Sequence, residues 1–171
     1  MLTCQQCNCS LQDPFGRVKE TCDRCGWIAT SEQELQQDTG PVATADEVTI
    51  TGRGTEFLCP ACIDSNLNVA TILRTQVCCC PQCQGFLVDS ETLGMLIQTL
   101  RATYSGAEDR PVVIDQNDLR KTLNCPTCCQ TMFTHPYHGP GNAVINSCNT
   151  CKLSWFDAGE FATIIRAPGL R

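Results

Sequence analysis

Six Cys-x-x-Cys pairs constrain this chain of 171 residues more than any other feature. They use twelve of its 16 cysteines. A Cys-x-x-Cys turn can direct two sulfurs at one point, and two such turns can complete the tetrahedral thiolate site that Zn²⁺ prefers. Taken two at a time along the chain, the pairs are separated by 14, 17 and 19 residues, and the two longer separations are typical of four-cysteine zinc sites. The sequence therefore predicts three structural Zn²⁺ ions. The predicted ligands are Cys4, Cys7, Cys22 and Cys25 for the first site, Cys59, Cys62, Cys80 and Cys83 for the second, and Cys125, Cys128, Cys148 and Cys151 for the third.

The same repeat predicts the domain organisation. Residues 1–36, 57–104 and 123–171 form what we call the first, second and third units, and residues 37–56 and 105–122 are linkers rich in glycine, proline or polar residues. The predicted fold class is a small, metal-stabilised α+β protein of three tandem zinc ribbons. In each ribbon, β-hairpin knuckles are followed by a short capped helix. The first unit is the degenerate copy, and we expect the three units to fold separately.

The third unit carries the clearest secondary-structure signals. Trp155 and Phe156 follow its last cysteine pair as a short strand, one of them packing under a helix. Asp157 with Glu160 three positions later predicts a helix start, with a capping side chain and a reciprocal acid.

Weaker versions of this pattern occur in the other two units. In the second, apolar residues at 93, 96, 97 and 100 predict an amphipathic helix after Asp89, whose stripe either packs on its own unit or binds a partner. In the first, residues 13–16 predict a hairpin turn, residues 26–30 a strand, and residues 31–34 a helix cap.

Two linker segments have local signals of their own. Residues 48–51 alternate and predict either a lone strand or an extended tether, and residues 112–114 are strand-like. Asp115 and Asp118 predict a single helical turn over Leu119 and Leu123.

The third unit resembles the bacterial zinc-ribbon family named after the transcription factor TFIIB, whose pattern is CPxC, a hairpin, then CxxCxGxWLDxxEL. The residues that match are Cys125, Pro126, Cys128, Cys148, Cys151, Trp155, Phe156, Asp157, Glu160 and Phe161. Lys152 and Leu153 stand where the family has its glycine, whereas the second unit keeps Gly85 there. The resemblance implies a zinc-ribbon fold for the second and third units and covers only the knuckles and cap of the first.

The composition, together with the lack of a visible secretory signal, favours metal sites over disulfides as the role of the cysteines. Without the cysteines, only about a third of the residues are apolar, which is little for one shared core, so cross-links of some kind must contribute stability. No secretory signal or membrane-spanning stretch is visible, so we expect a cytoplasmic chain with reduced thiols, which favours metal over disulfides. Iron is the alternative ion for such a site.

The sequence predicts no enzyme. A four-thiolate zinc has no open position for substrate, and a thiol oxidoreductase would place a single Cys-Pro-x-Cys pair in a βαβ setting. The two histidines, His135 and His138, decorate a hairpin loop of the third unit. The remaining cysteines are either apolar filler or redox-sensing thiols: Cys9, Cys78, Cys79 and Cys129.

The net charge of the chain limits the classes of partner that it can bind. The formal charge is −6, and since each four-thiolate Zn²⁺ site carries −2, three sites bring it to −12. Such a chain repels nucleic-acid phosphates unless its basic residues cluster. We therefore expect protein–protein docking, on transcription or translation machinery, through the hairpin from Phe133 to Gly141 with Phe133 and Tyr137 as anchors. The alternatives are a nucleic-acid-binding regulator and a thiol or zinc redox sensor.

Overall fold

A seven-stranded antiparallel sheet runs through the second and third units in the order β1-β2-β3-β4-β7-β6-β5. The computed structural model describes residues 4, 6, 7, 9, 11–13, 15, 17, 19, 21–26, 49–62, 64–110 and 113–169. The strands are β1 (Thr49–Leu58), β2 (Asn66–Ile72), β3 (Thr75–Cys79), β4 (Phe86–Asp89), β5 (Phe133–Pro136), β6 (Val144–Cys148) and β7 (Leu153–Phe156). The helices of the described residues are α1 (Ser90–Thr103), α2 (Glu160–Arg166) and a 3₁₀ turn, Asp118–Arg120.

The join between β4 and β7 corrects the expectation of three separate ribbon–helix units. These two strands pair antiparallel over four residues each, from Phe86 opposite Phe156 to Asp89 opposite Leu153. Each strand is the last of its own unit, β4 of four strands and β7 of three, and its outer edge would otherwise leave backbone N–H and C=O groups unpaired. Pairing the two edges satisfies those groups and makes one continuous sheet of the two units.

The first strand also differs from expectation. β1 begins at Thr49 and pairs with β2, so residues 49–56 of the predicted linker are part of the sheet. The hairpin between β2 and β3 turns at Leu73, whose φ of 55° places it in the left-handed region. The rest of the predicted linker, up to residue 48, lies outside the described residues.

The sheet is covered on both faces, and side chains alternate between them. One face packs against α1 and α2 through residues such as Phe86, Val88 and Phe156. The opposite face carries the second and third cysteine groups, packed around Leu87 and Trp155. Trp155 and Phe156 thus point to opposite faces, as their alternation predicts, and both are fully buried.

Helix α1 confirms the predicted amphipathic helix. Asp89 caps it, accepting hydrogen bonds from the backbone N–H groups of Glu91 and Thr92 at 2.8 and 3.3 Å. The stripe at 93, 96, 97 and 100 is buried in the core of the chain itself. That burial leaves the stripe no surface for a partner.

Helix α2 starts differently from the prediction. Its N-cap is Gly159 at φ 89°, with no side-chain capping bond. Glu160 does reach back to accept from the Asp157 N–H at 2.8 Å, which is the reciprocal half of a capping box. Both carboxylate oxygens of Asp157 are engaged elsewhere, by Trp155 Nε1 at 2.9 Å and Lys121 Nζ at 2.7 Å.

The second linker is only partly as predicted. Val113 and Ile114 are in no strand, and residue 112 lies outside the described residues. The predicted helical turn is present as the 3₁₀ turn, with Asp115 Oδ1 accepting from the Asn117 N–H at 2.8 Å. No helix of the described residues is long and apolar enough to cross a membrane.

The first unit is a short hairpin with Asp13 at its corner. The carboxylate of Asp13 accepts from the backbone N–H groups of Phe15 and Arg17 at 2.9 and 2.8 Å, as expected of aspartate in a turn. Phe15 packs against the core on the cysteine side of the sheet. Of the strand and cap predicted over residues 26–34, Gly26 is described, at φ 75°, and the rest lie outside the described residues.

Candidate metal centres

The structure brings the twelve paired cysteines into three groups of four, with the membership that the spacing predicts. Within each group all sulfurs lie within 4.8 Å of one another. Individual Sγ–Sγ distances are 3.4 Å between Cys4 and Cys25 and 3.6 Å between Cys59 and Cys83. Tetrahedral Zn²⁺ with Zn–S bonds of about 2.3 Å needs sulfurs roughly 3.8 Å apart. Each group is therefore of the right size and chemistry to hold one metal ion.

Backbone groups at the cysteine turns are arranged to stabilise thiolates. The N–H of the second cysteine of a pair points at the sulfur of the first in three of the described turns. The distances are 3.3 Å for Cys62 to Cys59, 3.5 Å for Cys83 to Cys80 and 3.4 Å for Cys151 to Cys148. An N–H donor near sulfur stabilises its ionised form, which is the form that binds metal.

The residue after a cysteine pair turns the chain by adopting a positive φ. This is so at Gly26, Gln84, Cys129 and Lys152, with φ of 75°, 61°, 60° and 55°. Lys152 therefore makes the turn without the help of the family's glycine. That glycine stands one position later in the pattern, and in the second unit its role is packing: a Cβ on Gly85 would lie 2.4 Å from the Trp155 ring.

Hydrogen bonds among the thiols of the third group shift their pKa values in opposite directions. Hydrogen bonds from Cys125 and then Cys151 lower the pKa of Cys148 to about 2. The same bond to Cys148 is the main reason that the pKa of Cys125 rises to about 12. A bound dication replaces these protons, so metal binding at this group releases them to solvent.

The three groups differ in exposure. All four cysteines of the third group are buried. In the first group Cys25 is exposed and Cys7 half-buried, and in the second Cys62 and Cys83 are half-buried. An ion in the first group is therefore the most open to chelators and oxidants, and an ion in the third group is the least open.

The surplus cysteines fall into two kinds. Cys78 and Cys79 are buried on opposite faces of β3, and burial raises their pKa to about 12 and about 11. Such thiols are packing residues with little thiolate at neutral pH. Cys9 is half-buried, with Arg24 Nη1 3.3 Å from its sulfur, and Cys129 is exposed.

A contact between units at the third group was not foreseen from sequence. Lys19 of the first unit donates to Cys151 Sγ at 3.3 Å and is paired with Asp23, whose carboxylate lies 3.5 Å from the same sulfur. The four-residue spacing of Lys19 and Asp23 allows an ion pair, yet nothing local to these residues predicts a sulfur more than 120 residues away.

The hairpin of the third unit presents a row of rings, formed by Phe133, His135 and His138. Neighbouring centroids in the row are 5.1 and 5.7 Å apart and nearly parallel. Phe133 is 62% exposed, as the docking prediction requires. Tyr137 is not: it is half-buried and packs on the core with α1 and α2. Neither histidine belongs to a cysteine group.

Four thiolates around one ion leave no position for water or substrate, so these groups suit a structural role. Comparison with protein-family models, curated proteins and solved structures finds no match to this chain. The resemblance to the TFIIB-type family therefore rests on cysteine spacing and flanking residues alone.

Proposed function

We propose that this chain is a non-enzymatic zinc protein of zinc-ribbon type, in which three Zn²⁺ ions hold a scaffold for docking a protein partner. The carrying observation is the convergence of twelve cysteines into three four-sulfur groups. Zinc is favoured over iron because the turns and hairpins follow the zinc-ribbon pattern. Zinc binding in small peptides is worth roughly 10–16 kcal/mol at neutral pH, enough to fold units with cores as small as these.

Metal content tests the first half of this proposal. Elemental analysis and native mass spectrometry of protein purified from zinc-supplemented cells should find three zinc ions per chain. Exposed Cys129 lies beside a ligand but outside the groups, so Cys129→Ser should keep three ions, whereas Cys128→Ser should lose at least the third ion. Bound iron, or a chain that folds without metal, would contradict zinc.

The docking surface that we propose is the ring row of Phe133, His135 and His138. An exposed aromatic on a rigid strand loses little entropy on binding, and such residues often anchor interfaces. With its zinc ions the chain carries −12, so the partner should offer a basic surface around an apolar pocket. Localisation in the cytoplasm, with partners in transcription or translation, is part of the same proposal.

Binding measurements with a matched control test docking. A partner is captured from the native host, purified, and titrated against wild type, Phe133→Ala and Met95→Ala. Met95 is the matched control because it is 69% exposed on α1, away from the ring row. Phe133→Ala should weaken binding by about 2 kcal/mol, the size typical of an anchor residue, and Met95→Ala should not.

Other outcomes would favour the alternatives. Salt-dependent binding of DNA or RNA that Phe133→Ala removes would indicate a nucleic-acid regulator using the rings to stack bases. Zinc release by mild oxidant, with no partner affected by Phe133→Ala, would indicate a redox sensor.

A further inference from the structure

Asp23, which lies between the two cysteines of the second pair of the first unit, contacts the third metal group. Asp23 directly follows Cys22, a predicted ligand of the first site, and it pairs with Lys19. Lys19 in turn donates to Cys151 Sγ, a ligand of the third group, at 3.3 Å. The side chains of Lys19 and Asp23 are only 21% and 23% exposed. One short chain of contacts therefore links a ligand of the first site to a ligand of the third.

A second ion pair holds the first unit in this position. Arg17 bridges Asp13 Oδ2, at 2.5 Å from Nε, and Asp89 Oδ2, at 2.6 Å from Nη2. Asp13 forms the corner of the first unit, and Asp89 caps α1 of the second unit. Phe15 adds an apolar contact to the core on the same side of the sheet. The first unit is thus attached at two points, one of them on a metal ligand.

The charges around Cys151 indicate whether this contact stabilises or destabilises the metal-loaded third site. A Zn²⁺ ion with four thiolates carries −2, and the Lys19 ammonium at 3.3 Å from Cys151 Sγ offsets part of that charge. Lys19 also pairs with Asp23, and so neutralises the carboxylate that lies 3.5 Å from the same sulfur. A hydrogen bond to a thiolate also makes it a weaker nucleophile, because the sulfur lone pair is already engaged. Lys19 therefore stabilises a loaded third site and slows attack on Cys151.

The position of Lys19 depends on the first site. The described part of the first unit has only a three-residue core, Cys4, Leu11 and Cys22, with Cys7 and Cys9 packed against it. So small a core cannot hold a hairpin without its metal. Loss of the first ion should release Asp23 and Lys19 together.

We propose that the first unit is a metal-dependent lid on the third site: while its own exposed site is loaded, it holds Lys19 on the Cys151 thiolate and slows metal loss there. This rests on the metal binding proposed above. Metal then leaves in a set order. The exposed first site loses its ion first. The buried third site loses its ion only after that, and at a higher rate than while the lid was in place. Among the described residues, the lid makes no recorded hydrogen bond or ion pair to a ligand of the second site, so the second site is the internal reference.

Pulsed alkylation tests the lid. Zinc-loaded protein is treated with EDTA and N-ethylmaleimide, and labelled cysteines are quantified by peptide mass spectrometry over time, so that each site has its own initial rate. Three variants are compared with wild type. Lys19→Gln removes the contact, Cys25→Ser disables the first site, and Lys152→Gln removes an equal charge beside Cys151 without this contact.

In Lys19→Gln, third-site cysteines should be labelled about tenfold faster, the size expected of one charge-assisted hydrogen bond. First-site and second-site rates should stay at their wild-type values, and Cys25→Ser should speed the third site at least as much. A wild-type third-site rate in Lys19→Gln overturns the lid even if Cys25→Ser is faster. Equal acceleration in Lys152→Gln also overturns it, as does an equal rise in the initial rate at the second site, before loss of the third site can disturb the core that the two sites share. A wild-type chain with fewer than three zinc ions contradicts the proposed function instead.

Discussion

Leu87 and Trp155 lie directly opposite each other in the β4–β7 pair, and each is the fourth residue after the last cysteine of its unit. Equivalent residues of two repeats thus meet at the centre of one sheet, as they would across a local two-fold axis. Both are fully buried between the second and third cysteine groups. The two groups therefore share one core, and losing one should be felt at the other.

Disabling the third site should unfold both units that share this core. Cys148→Ser removes a buried ligand, and the lost metal binding, roughly 10–16 kcal/mol, exceeds the stability of a small domain. Hydrogen exchange should show that β4 and α1 lose protection together with β6 and β7. Cys129→Ser is the control and should leave the pattern unchanged. If α1 keeps its wild-type protection in Cys148→Ser, then the second unit folds independently of the third, as expected from the sequence, and this prediction is wrong.

A methyl group at Gly85 should destabilise the chain, and one at Gly94 should stabilise it. The Cβ of Gly85→Ala would meet the Trp155 ring at 2.4 Å and the Phe156 carbonyl oxygen at 2.8 Å, whereas the Cβ at Gly94, in α1, has nothing within 4 Å. Overpacking should cost about 1–3 kcal/mol, and the helix should gain about 0.5–1 kcal/mol. Thermal melts of zinc-loaded protein measure both, and a Gly85→Ala chain as stable as wild type would refute the close packing.

Arg101 of α1 is hydrogen-bonded to the end of α2, and we expect these bonds to stabilise the fold. It is buried at 5% exposure, and its Nη1 donates to the carbonyl oxygens of Ile164 and Ala167 at 2.6 and 3.0 Å. Arg101→Met leaves the carbonyls at the end of α2 without this donor and should cost about 2–3 kcal/mol in denaturant unfolding. The control is Arg166→Met, which removes an exposed arginine of α2 and should cost little. An equal loss of unfolding free energy in the two variants would show that the two hydrogen bonds of Arg101 do not stabilise the fold.

Glu160 should make the chain less stable as pH rises. Burial, opposed by its bond from the Asp157 N–H, raises the pKa of Glu160 from 4.5 to about 7. Because the folded state holds this proton more tightly than the unfolded state, stability from this group falls between about pH 4.5 and pH 7. Glu160→Gln keeps an acceptor for Asp157 and should gain stability relative to wild type as the pH rises from about 4.5 to about 7, and the difference should then stay level.

The measurement is chemical denaturation at each pH with excess zinc, so that metal loss does not enter the comparison. Exposed Glu91→Gln serves as the control, because it removes a carboxylate that lies outside the core. A constant difference between Glu160→Gln and wild type across this range would refute the raised pKa.

The cysteine groups and α1 could be predicted from the sequence, because both depend on short-range geometry. Two residues between cysteines set the direction of their sulfurs, and the spacing of Leu93 to Leu100 sets one face of a helix. The αL turn at Lys152 is equally local, and it shows that the missing glycine is not needed to make the turn.

The way in which the units meet could not be predicted from the sequence. Strand edges carry the same backbone groups whatever their sequence, so nothing in β4 or β7 alone names the other as its partner. The side chain of Asp157 could cap a helix, but Trp155 and Lys121 occupy its oxygens in the fold, and Gly159 takes its place. Lys19 reaches Cys151 because the first unit rests on the sheet. Contacts of this kind depend on packing between distant segments, which local spacing does not encode.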